Sequence, residues 1–469
     1  MRWFSRAAAR VSATAASAVA ALALASPASA QSLIRDTEIE GIIRGWSDPV
    51  FTAMGLEPSE VEVLLVNDNE LNAFATRGRI MGVNTGLILR TETPNELLGV
   101  IAHEAGHIRN RHTLRDGADQ AGRQPMLMTM ALGALAMAAG APDAAAILLG
   151  NSQYFGALSS LRYIQSQEGE ADLTGARGME AAGLSGRGLV SFFENFRSQE
   201  VFSEARRYPW FRSHPLSSQR IETLRRFVAA QPNFDKADTP EQMADHALIV
   251  AKIRAFMDAP QTTLRTYSAT DAGFPARYAR AIAFYRAGET DKALTAVDAL
   301  LAEQPENPYL WELKGQILFE EGRPAEAIGA HQKSVDLKPD APLLRVNLAH
   351  ALIESQDAAK LDAAVDHLKR ATAAESDNLL AWRLLGQAYS SQGKEGEARL
   401  ASAEYYFAAG SQPQATQFAL RARDMLQRGT PEWRRAMDIV LASGATMDDI
   451  EDLDRQNSRR RPGVVAPAS

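Results

Sequence analysis

A repeat of 34 residues is the feature that most limits the folds open to this chain. The tract 285–294 recurs at 319–328, with a glycine between two helical patterns and an alanine inside the second pattern. The alanine returns at Ala364, after an insertion of three residues, and again 34 residues later at Ala398. Such a unit cannot bury its apolar face alone, so neighbouring units must stack. The sequence therefore predicts an all-helical solenoid over residues 274–445.

A second tract predicts a metal-binding helix. The residues Thr93-Pro94-Asn95-Glu96 combine an N-cap, a proline in the first turn and a capping-box glutamate, which together predict a helix start. Along that helix, His103 and His107 are four residues apart, so both imidazoles project from one face and can chelate a single metal ion. Glu104 is placed to act on a water molecule at that ion as a general base.

A metal site of this kind needs a further ligand. Thr113 stands where a metzincin would carry its third histidine, and we expect His112, one residue earlier, to point away from the metal face. Glu168 and Asp172 are four apart on a predicted later helix, so Glu168 can ligate while Asp172 hydrogen-bonds a ligand histidine. Glu170 is predicted to face elsewhere, at the surface. The alternative for this tract is a solvated acidic patch.

Several tracts together resemble a known family. Residues 103–112, 168–172 and 213–216 are similar to the HtpX/Oma-type zinc metallopeptidases, in particular their periplasmic branch of β-barrel assembly-enhancing proteases with C-terminal tetratricopeptide repeats. Residues 72–75 and 83–87 resemble the strand pair before the helix in that family. The resemblance implies an α+β, mostly helical fold: a zincin-like metalloprotease domain with a small β-sheet, then an all-α tetratricopeptide-repeat solenoid.

The same resemblance implies roles for individual residues. It implies that one zinc ion per chain is bound by His103, His107 and Glu168. Glu104 is then the general base, and His214 gates the site or stabilises the tetrahedral oxyanion. Arg220 is a second oxyanion or carboxylate contact. An extended substrate backbone is expected to pair with a strand that includes Gly82, Val83, Asn84 and Thr85.

The first thirty residues predict export. Arg2, Arg6 and Arg10 precede an apolar stretch over 11–25, and small residues then allow cleavage after about Ala30. The chain of 469 residues contains no cysteine, so an exported form is held together without disulfides. A formal net charge of −7 argues against a nucleic-acid binder. These features favour a periplasmic location.

Residues 126–150 are unusually apolar. The stretch is interrupted at Pro142-Asp143, and each half is shorter than the roughly 20 residues that a spanning helix needs. We therefore expect a buried or membrane-touching helical hairpin, with possible peripheral membrane contact. Residues 126–160 and His214 are also candidates for covering the cleft at rest.

Two functions remain open at this point. The first is a periplasmic zinc endopeptidase in quality control of envelope or outer-membrane proteins, with repeats that bind substrates or an outer-membrane assembly complex. The alternative is a chaperone-like repeat adaptor for outer-membrane protein assembly with latent or regulated proteolysis. Either function fits a division into a signal peptide, a metalloprotease domain, a linker with leading helices, the repeats and a tail: 1–30, 31–235, 236–273, 274–445 and 446–469.

Overall fold

The computed structural model describes residues 32–114, 125–132, 142–200, 214 and 217–444. The predicted signal peptide and C-terminal tail lie outside these residues, as does the middle of the apolar stretch. The chain divides into two compact units, Met1–Ile34 with Trp46–Asp238, and Arg35–Gly45 with Thr239–Ser469. The described part is mostly helical with one small sheet, which confirms the predicted fold class.

The first unit contains a four-stranded sheet in the order β1-β2-β4-β3. Its strands are β1 Ser32–Ile34, β2 Glu62–Asn67, β3 Ala73–Thr76 and β4 Ile80–Asn84. β4 runs parallel to β2 and antiparallel to β3. Met81 and Val83 on β4 are fully buried, whereas Gly82 between them leaves room for an aromatic ring. A Cβ at Gly82 would lie 2.3 Å from the ring of Phe74 on β3.

The sheet order corrects the predicted substrate strand. Gly82, Val83 and Asn84 lie on β4, which has β2 on one side and β3 on the other. Because both edges of β4 are occupied by strands, its backbone has no edge left for a substrate. Thr85 is not in a strand at all, because it begins the helical turn Thr85–Ile88.

The second strand of the pair expected from the resemblance, at residues 83–87, therefore ends at Asn84, and the local contacts explain why. The Thr85 hydroxyl donates to the carbonyl of Asp68 at 2.9 Å, and Gly86 N donates to the same carbonyl at 2.8 Å. A Cβ at Gly86 would lie 2.2 Å from the Asn69 carbonyl oxygen. The turn after β2 thus holds the chain as it leaves β4 and bends it out of the sheet.

The chain up to Ala229 also forms helices, and the first of them begins in the segment Arg35–Gly45 of the second unit. Their bounds are α1 Thr37–Ala53, α2 Thr85–Ile88, α3 Pro94–Arg109, α4 at 125–132, α5 Pro142–Ala181, α6 Arg187–Glu200 and α7 Ser218–Ala229. The predicted N-cap of α3 is confirmed, because the Thr93 side chain accepts from Glu96 N at 3.1 Å. The Glu96 carboxylate instead accepts from Glu92 N at 2.8 Å. α3 contacts β3, α5 and α6, and nearly all of it is buried.

The described parts of the apolar stretch lie in two helices, α4 and the start of α5, and the residues between them, 133–141, lie outside the described part of the chain. α5 is one helix of 40 residues that begins at Pro142 and continues through Glu168. Proline suits a first helical position, and Pro142 starts this helix. On α4, Leu127 is 62% exposed and Met128 is 68% exposed, so these side chains are not buried. Among the described residues, no helix has the length and apolar content required to span a bilayer.

The second unit is the predicted stack of paired helices. The helices from α8 to α19 are Pro240–Met257, Pro260–Thr266, Phe274–Arg286, Thr290–Glu303, Pro308–Glu320, Pro324–Leu337, Pro342–Glu354, Leu361–Ala374, Leu379–Ser391, Glu395–Ala408, Gln412–Met425 and Pro431–Ala442. Gly288 and Gly322 follow the first helices of their pairs with φ of 73° and 76°, a left-handed conformation that favours glycine. Ala293 and Ala327 are fully buried at the helix contacts, as the repeat predicts.

A buried charge cluster holds the first turn of α1 within the second unit. Lys252 Nζ on α8 lies 2.8 Å from both Asp36 Oδ2 and Glu38 Oε2. Glu312 on α12 adds a further carboxyl, whose Oε1 accepts from Asn347 Nδ2 at 2.9 Å. Burial raises the pKa of Glu312 to about 8. This carboxyl is therefore protonated in the folded chain at neutral pH.

Candidate metal centre

Small residues let α3 and α5 cross at close range. A Cβ at Gly106 on α3 would lie 2.6 Å from the carbonyl oxygen of Ala171 on α5. A Cβ at Gly175 on α5 would lie 2.8 Å from the backbone of Ala102 on α3. The two backbones therefore approach as far as glycine allows. This crossing brings the Glu168 turn of α5 over the histidine face of α3.

Three predicted ligands meet at the crossing. His103 Nε2 and His107 Nε2 are 3.2 Å apart. Glu168 Oε2 lies 3.5 Å from His103 Nε2, and Glu168 Oε1 lies 3.4 Å from His107 Nε2. All three side chains are buried. Among the described residues, these groups and His214 form the cluster able to hold a metal ion, with ligand atoms all within 4.8 Å of one another.

The spacing of these atoms fits zinc. A tetrahedral zinc ion with Zn–N and Zn–O bonds of about 2.0–2.1 Å places its ligand atoms roughly 3.3–3.4 Å apart. The closest ligand atoms of His103, His107 and Glu168 are separated by 3.2–3.5 Å, where the two Glu168 distances are measured to its two different oxygens. Two imidazoles and one carboxylate are also the donors that catalytic zinc sites use. The residues present therefore fit the ion that the sequence predicts.

Asp172 and Arg220 support the first histidine. His103 Nδ1 lies 2.8 Å from Asp172 Oδ1, so the imidazole donates from Nδ1 and presents Nε2 to the ligand cluster. Arg220 on α7 donates to both oxygens of Asp172 and lies 3.1 Å from Glu168. Its guanidinium also stacks over the ring of Phe193 at 5.0 Å. Asp172 thus contacts the Nδ1 side of His103, and Arg220 contacts the carboxylates of Asp172 and Glu168.

The buried charges perturb one another strongly. Burial opposes the charged form of His103, but hydrogen bonds to Asp172 and Glu168 raise its pKa to about 9. Burial and the neighbouring His103 instead hold the pKa of His107 well below its ordinary value. For Glu168, contacts with His103 and His214 outweigh burial and lower the pKa. The charge of Arg220 similarly outweighs burial and lowers the pKa of Asp172. The carboxylates are therefore ionised, whereas a metal ion that binds His103 Nε2 must displace a proton from that imidazole at neutral pH.

His214 reaches into the centre of the cluster. Its Nδ1 lies 2.9 Å from Glu168 Oε2 and 3.3 Å from His103 Nε2. Its Nε2 lies 3.6 Å from Oε1 of Glu104, whose side chain is fully buried. A single imidazole thus touches the predicted ligand and the predicted general base together.

Sequence reasoning missed the contacts that join Glu170 and His112 to His107. His112 lies behind His107 and outside the ligand cluster, because its Nδ1 is 3.1 Å from His107 Nδ1, the nitrogen opposite the Nε2 that faces His103. Glu170 is 59% exposed, yet its Oε2 lies 3.4 Å from His112 Nε2. The reason is the end of α3 at Arg109, after which Arg111 adopts φ of 58° and turns the chain back over His107. No signal in the residue spacing marks this reversal.

Comparison with known proteins identifies the class that this fold and site define. The model of peptidase family M48 matches residues 35–228, which include every residue of the ligand cluster. The tetratricopeptide domain of cytochrome c-type biogenesis protein H matches residues 287–404. The chain therefore carries a metalloprotease domain of family M48 followed by tetratricopeptide repeats.

Two curated relatives match most of the chain, and other proteins match parts of it. The β-barrel assembly-enhancing protease of Yersinia pestis is 26% identical over 378 residues, covering 79% of this chain and 76% of that protein. The protein of that name from Escherichia coli (strain K12) is 26% identical over 382 residues with the same coverage. Metalloprotease YcaL of the same strain is 29% identical over 37% of this chain and 63% of its own. The solved tetratricopeptide protein YrrB covers 38% of this chain and 92% of its own, at 16% identity and a TM-score of 0.31.

Proposed function

We propose that this chain is a zinc-dependent endopeptidase that acts in the quality control of outer-membrane proteins. The observation that carries the proposal is the convergence of His103, His107 and Glu168, whose nearest ligand atoms are 3.2–3.5 Å apart, with Glu104 buried beside them. The substrate class is supported by the name of the β-barrel assembly-enhancing proteases to which the chain is similar. The predicted export signal supports a periplasmic location.

Each side chain has a chemical task in this proposal. Zinc held by the two imidazoles and Glu168 would supply a Lewis acid for peptide hydrolysis. Glu104 accepts the proton of the attacking water and returns it to the leaving amine. Asp172 fixes the Nδ1–H form of His103, and Arg220 holds the Asp172 carboxylate in place. Together these contacts fix the direction of the His103 lone pair before substrate arrives.

His214 supports a regulated enzyme. Its Nδ1 belongs to the group of four potential ligand atoms, so it occupies the position that water needs in an open catalytic site. In this arrangement, His214 closes the site, and its withdrawal is needed for hydrolysis. The histidine is then free to stabilise the oxyanion of the tetrahedral intermediate. The same observation favours the adaptor function with latent proteolysis as the second candidate.

The edge strand β3 is the better candidate for substrate binding. Within the described residues, β3 Ala73–Thr76 pairs with β4 on one side and ends the sheet on the other. β3 also contacts the α3 helix, which carries the candidate site. In this proposal an extended substrate peptide pairs with the outer edge of β3, and not with β4 as the sequence analysis expected. A substrate peptide N-methylated at backbone positions that pair with β3 should therefore be cleaved more slowly than its unmethylated copy.

The repeats supply the protein-binding part of the proposal. A cavity of about 330 Å³ lies among α15, α16, α17 and α19, and Trp382, Leu385 and Tyr389 form part of its wall. An aromatic and aliphatic wall of this kind suits side chains of a bound polypeptide. We assign substrate selection, or attachment to an assembly complex, to this unit.

Substitution of Glu104 tests the proposal. Purified Glu104→Gln should bind zinc like the unmodified protein but lose at least a hundredfold in hydrolysis of an unfolded β-barrel substrate, because general-base catalysis contributes about 10²–10⁴-fold. The matched control Glu194→Gln removes an exposed carboxylate on α6 and should retain activity. Hydrolysis by Glu104→Gln at the unmodified rate would rule out the mechanism. A further test uses cells that lack the protein. Restoration of outer-membrane protein assembly by Glu104→Gln, but not by a variant without residues 274–445, would identify the adaptor function as the correct one.

A further inference from the structure

His107 and His103 have different partners at Nδ1. His103 donates from Nδ1 to the buried carboxylate of Asp172, whereas His107 Nδ1 lies 3.1 Å from another imidazole nitrogen, Nδ1 of His112. His112 is itself 7% exposed and begins the short helical turn His112–Leu114. The rings of His107 and His112 are 5.1 Å apart and meet at 72°. This contact needs an explanation of its own.

The protons at this contact can be assigned from the role of His107 in the proposed site. Its Nε2 faces His103 Nε2 and Glu168 Oε1, so ligation leaves the proton on Nδ1. His112 Nδ1 must then accept that proton's hydrogen bond, which places the His112 proton on Nε2. That nitrogen lies 3.4 Å from Glu170 Oε2, an acceptor. The three side chains thus form one consistent sequence of donors and acceptors.

The backbone also indicates a built feature. Arg111 has φ of 58°, a left-handed conformation that residues with a Cβ rarely adopt. The α3 helix ends two residues earlier, and this conformation returns the chain so that His112 covers His107. Unusual backbone conformations persist where surrounding structure requires them, often at functional sites.

We infer that His112 is a positioning residue that holds His107 in its Nδ1–H form and directs Nε2 at the metal. Glu170 completes the sequence from the surface and orients His112 in turn. The inference rests on the proposed zinc site, and it concerns the chain's affinity for zinc rather than the chemical step.

A pair of amide substitutions separates positioning from packing. Asparagine at 112 carries its amide oxygen about where Nδ1 of His112 lies, whereas glutamine carries it about where Nε2 lies. His112→Asn should therefore still accept from His107, and His112→Gln and His112→Leu should not. Loss of such an orienting partner typically weakens metal affinity by about 10–100-fold.

The measurement is zinc affinity of the full chain by competition with a chromophoric chelator. We expect His112→Asn within about threefold of the unmodified protein, and His112→Gln and His112→Leu weaker by about 10–100-fold. The visible spectrum of the cobalt-substituted protein should change in the same two variants. Equal affinities for Asn and Gln, whether both weak or both unchanged, would overturn the inference. Failure of the unmodified protein to bind zinc would instead refute the proposed function, so the two failures are distinguishable.

Discussion

The crossing of α3 and α5 allows a sharp test of what sets the ligand spacing. A Cβ added at Gly106 would lie 2.6 Å from the carbonyl oxygen of Ala171, whereas ordinary contacts begin at 3.4 Å. Gly106→Ala must therefore separate the helices locally by about 0.8 Å. A functional metal site tolerates deviations of about 0.2 Å in its ligand distances. The Glu168 carboxylate should thus withdraw from the histidines by several times that tolerance.

The assays are zinc affinity, peptide hydrolysis and thermal unfolding. Gly106→Ala and Gly175→Ala should both weaken zinc binding, and kcat/KM should fall about 100-fold, the typical cost of a misplacement near 1 Å. The matched control is Gly169→Ala on α5, next to Glu168, where an added Cβ meets nothing within 4 Å. This control should bind zinc normally and gain up to about 1 kcal/mol in stability, since alanine favours a helix over glycine.

The outcome that refutes this reasoning is specific. If Gly106→Ala keeps the zinc affinity and kcat/KM of Gly169→Ala, the close approach of the backbones does not determine the site. If Gly169→Ala loses as much zinc affinity and kcat/KM as Gly106→Ala and Gly175→Ala, the losses come from an alanine in these helices and not from the close approach of α3 and α5.

Three further predictions concern the free energy of unfolding. Because the folded chain holds the Glu312 proton up to a pH of about 8 while the unfolded chain releases it near 4.5, unfolding free energy should fall as pH rises between these values. Glu312→Gln should remove that fall, as urea midpoints at pH 5 and 8 will show. Asp172→Asn should lower the free energy of unfolding by up to about 3–5 kcal/mol, because it breaks the buried ion pair with Arg220 and leaves Glu168 as the remaining carboxylate partner in the described contacts. Gly82→Ala should cost about 1–3 kcal/mol by displacing the Phe74 ring, and adding Phe74→Leu should recover part of that loss.

Local patterns were sufficient for the parts of the site that lie within one helical turn. The histidine pair and the Thr93 cap follow from spacing along α3. Glu168 and Asp172 are distant in sequence, but their own spacing of four residues gave a matching pair on a second helix. Their positions in the structure agree with that expectation, since both side chains face His103.

The remaining parts depend on where the chain stops being regular. Spacing along a continued helix directs His112 away from His107, but the helix ends and Arg111 reverses the chain. The strand tract near Gly82 was found, yet no residue in it tells that β3 would take the edge and β4 the interior. Hydrophobic patterns specify elements, whereas strand order and chain reversals are set by contacts between them.

In the proposed site, a carboxylate contacts Nδ1 of His103, whereas an imidazole contacts Nδ1 of His107. This difference limits the negative charge at the buried centre. A carboxylate beside His103 is balanced by Arg220, so that support adds no net charge to the buried centre. No described contact supplies a second arginine at His107, where a carboxylate in direct contact would add an unbalanced negative charge close to Glu104 and Glu168. Such a charge would reduce the Lewis acidity of a bound zinc ion. It would also destabilise the oxyanion that develops in the transition state. A neutral imidazole at 112 orients His107 without that cost, and it leaves the carboxylate of Glu170 at the surface, where water screens it.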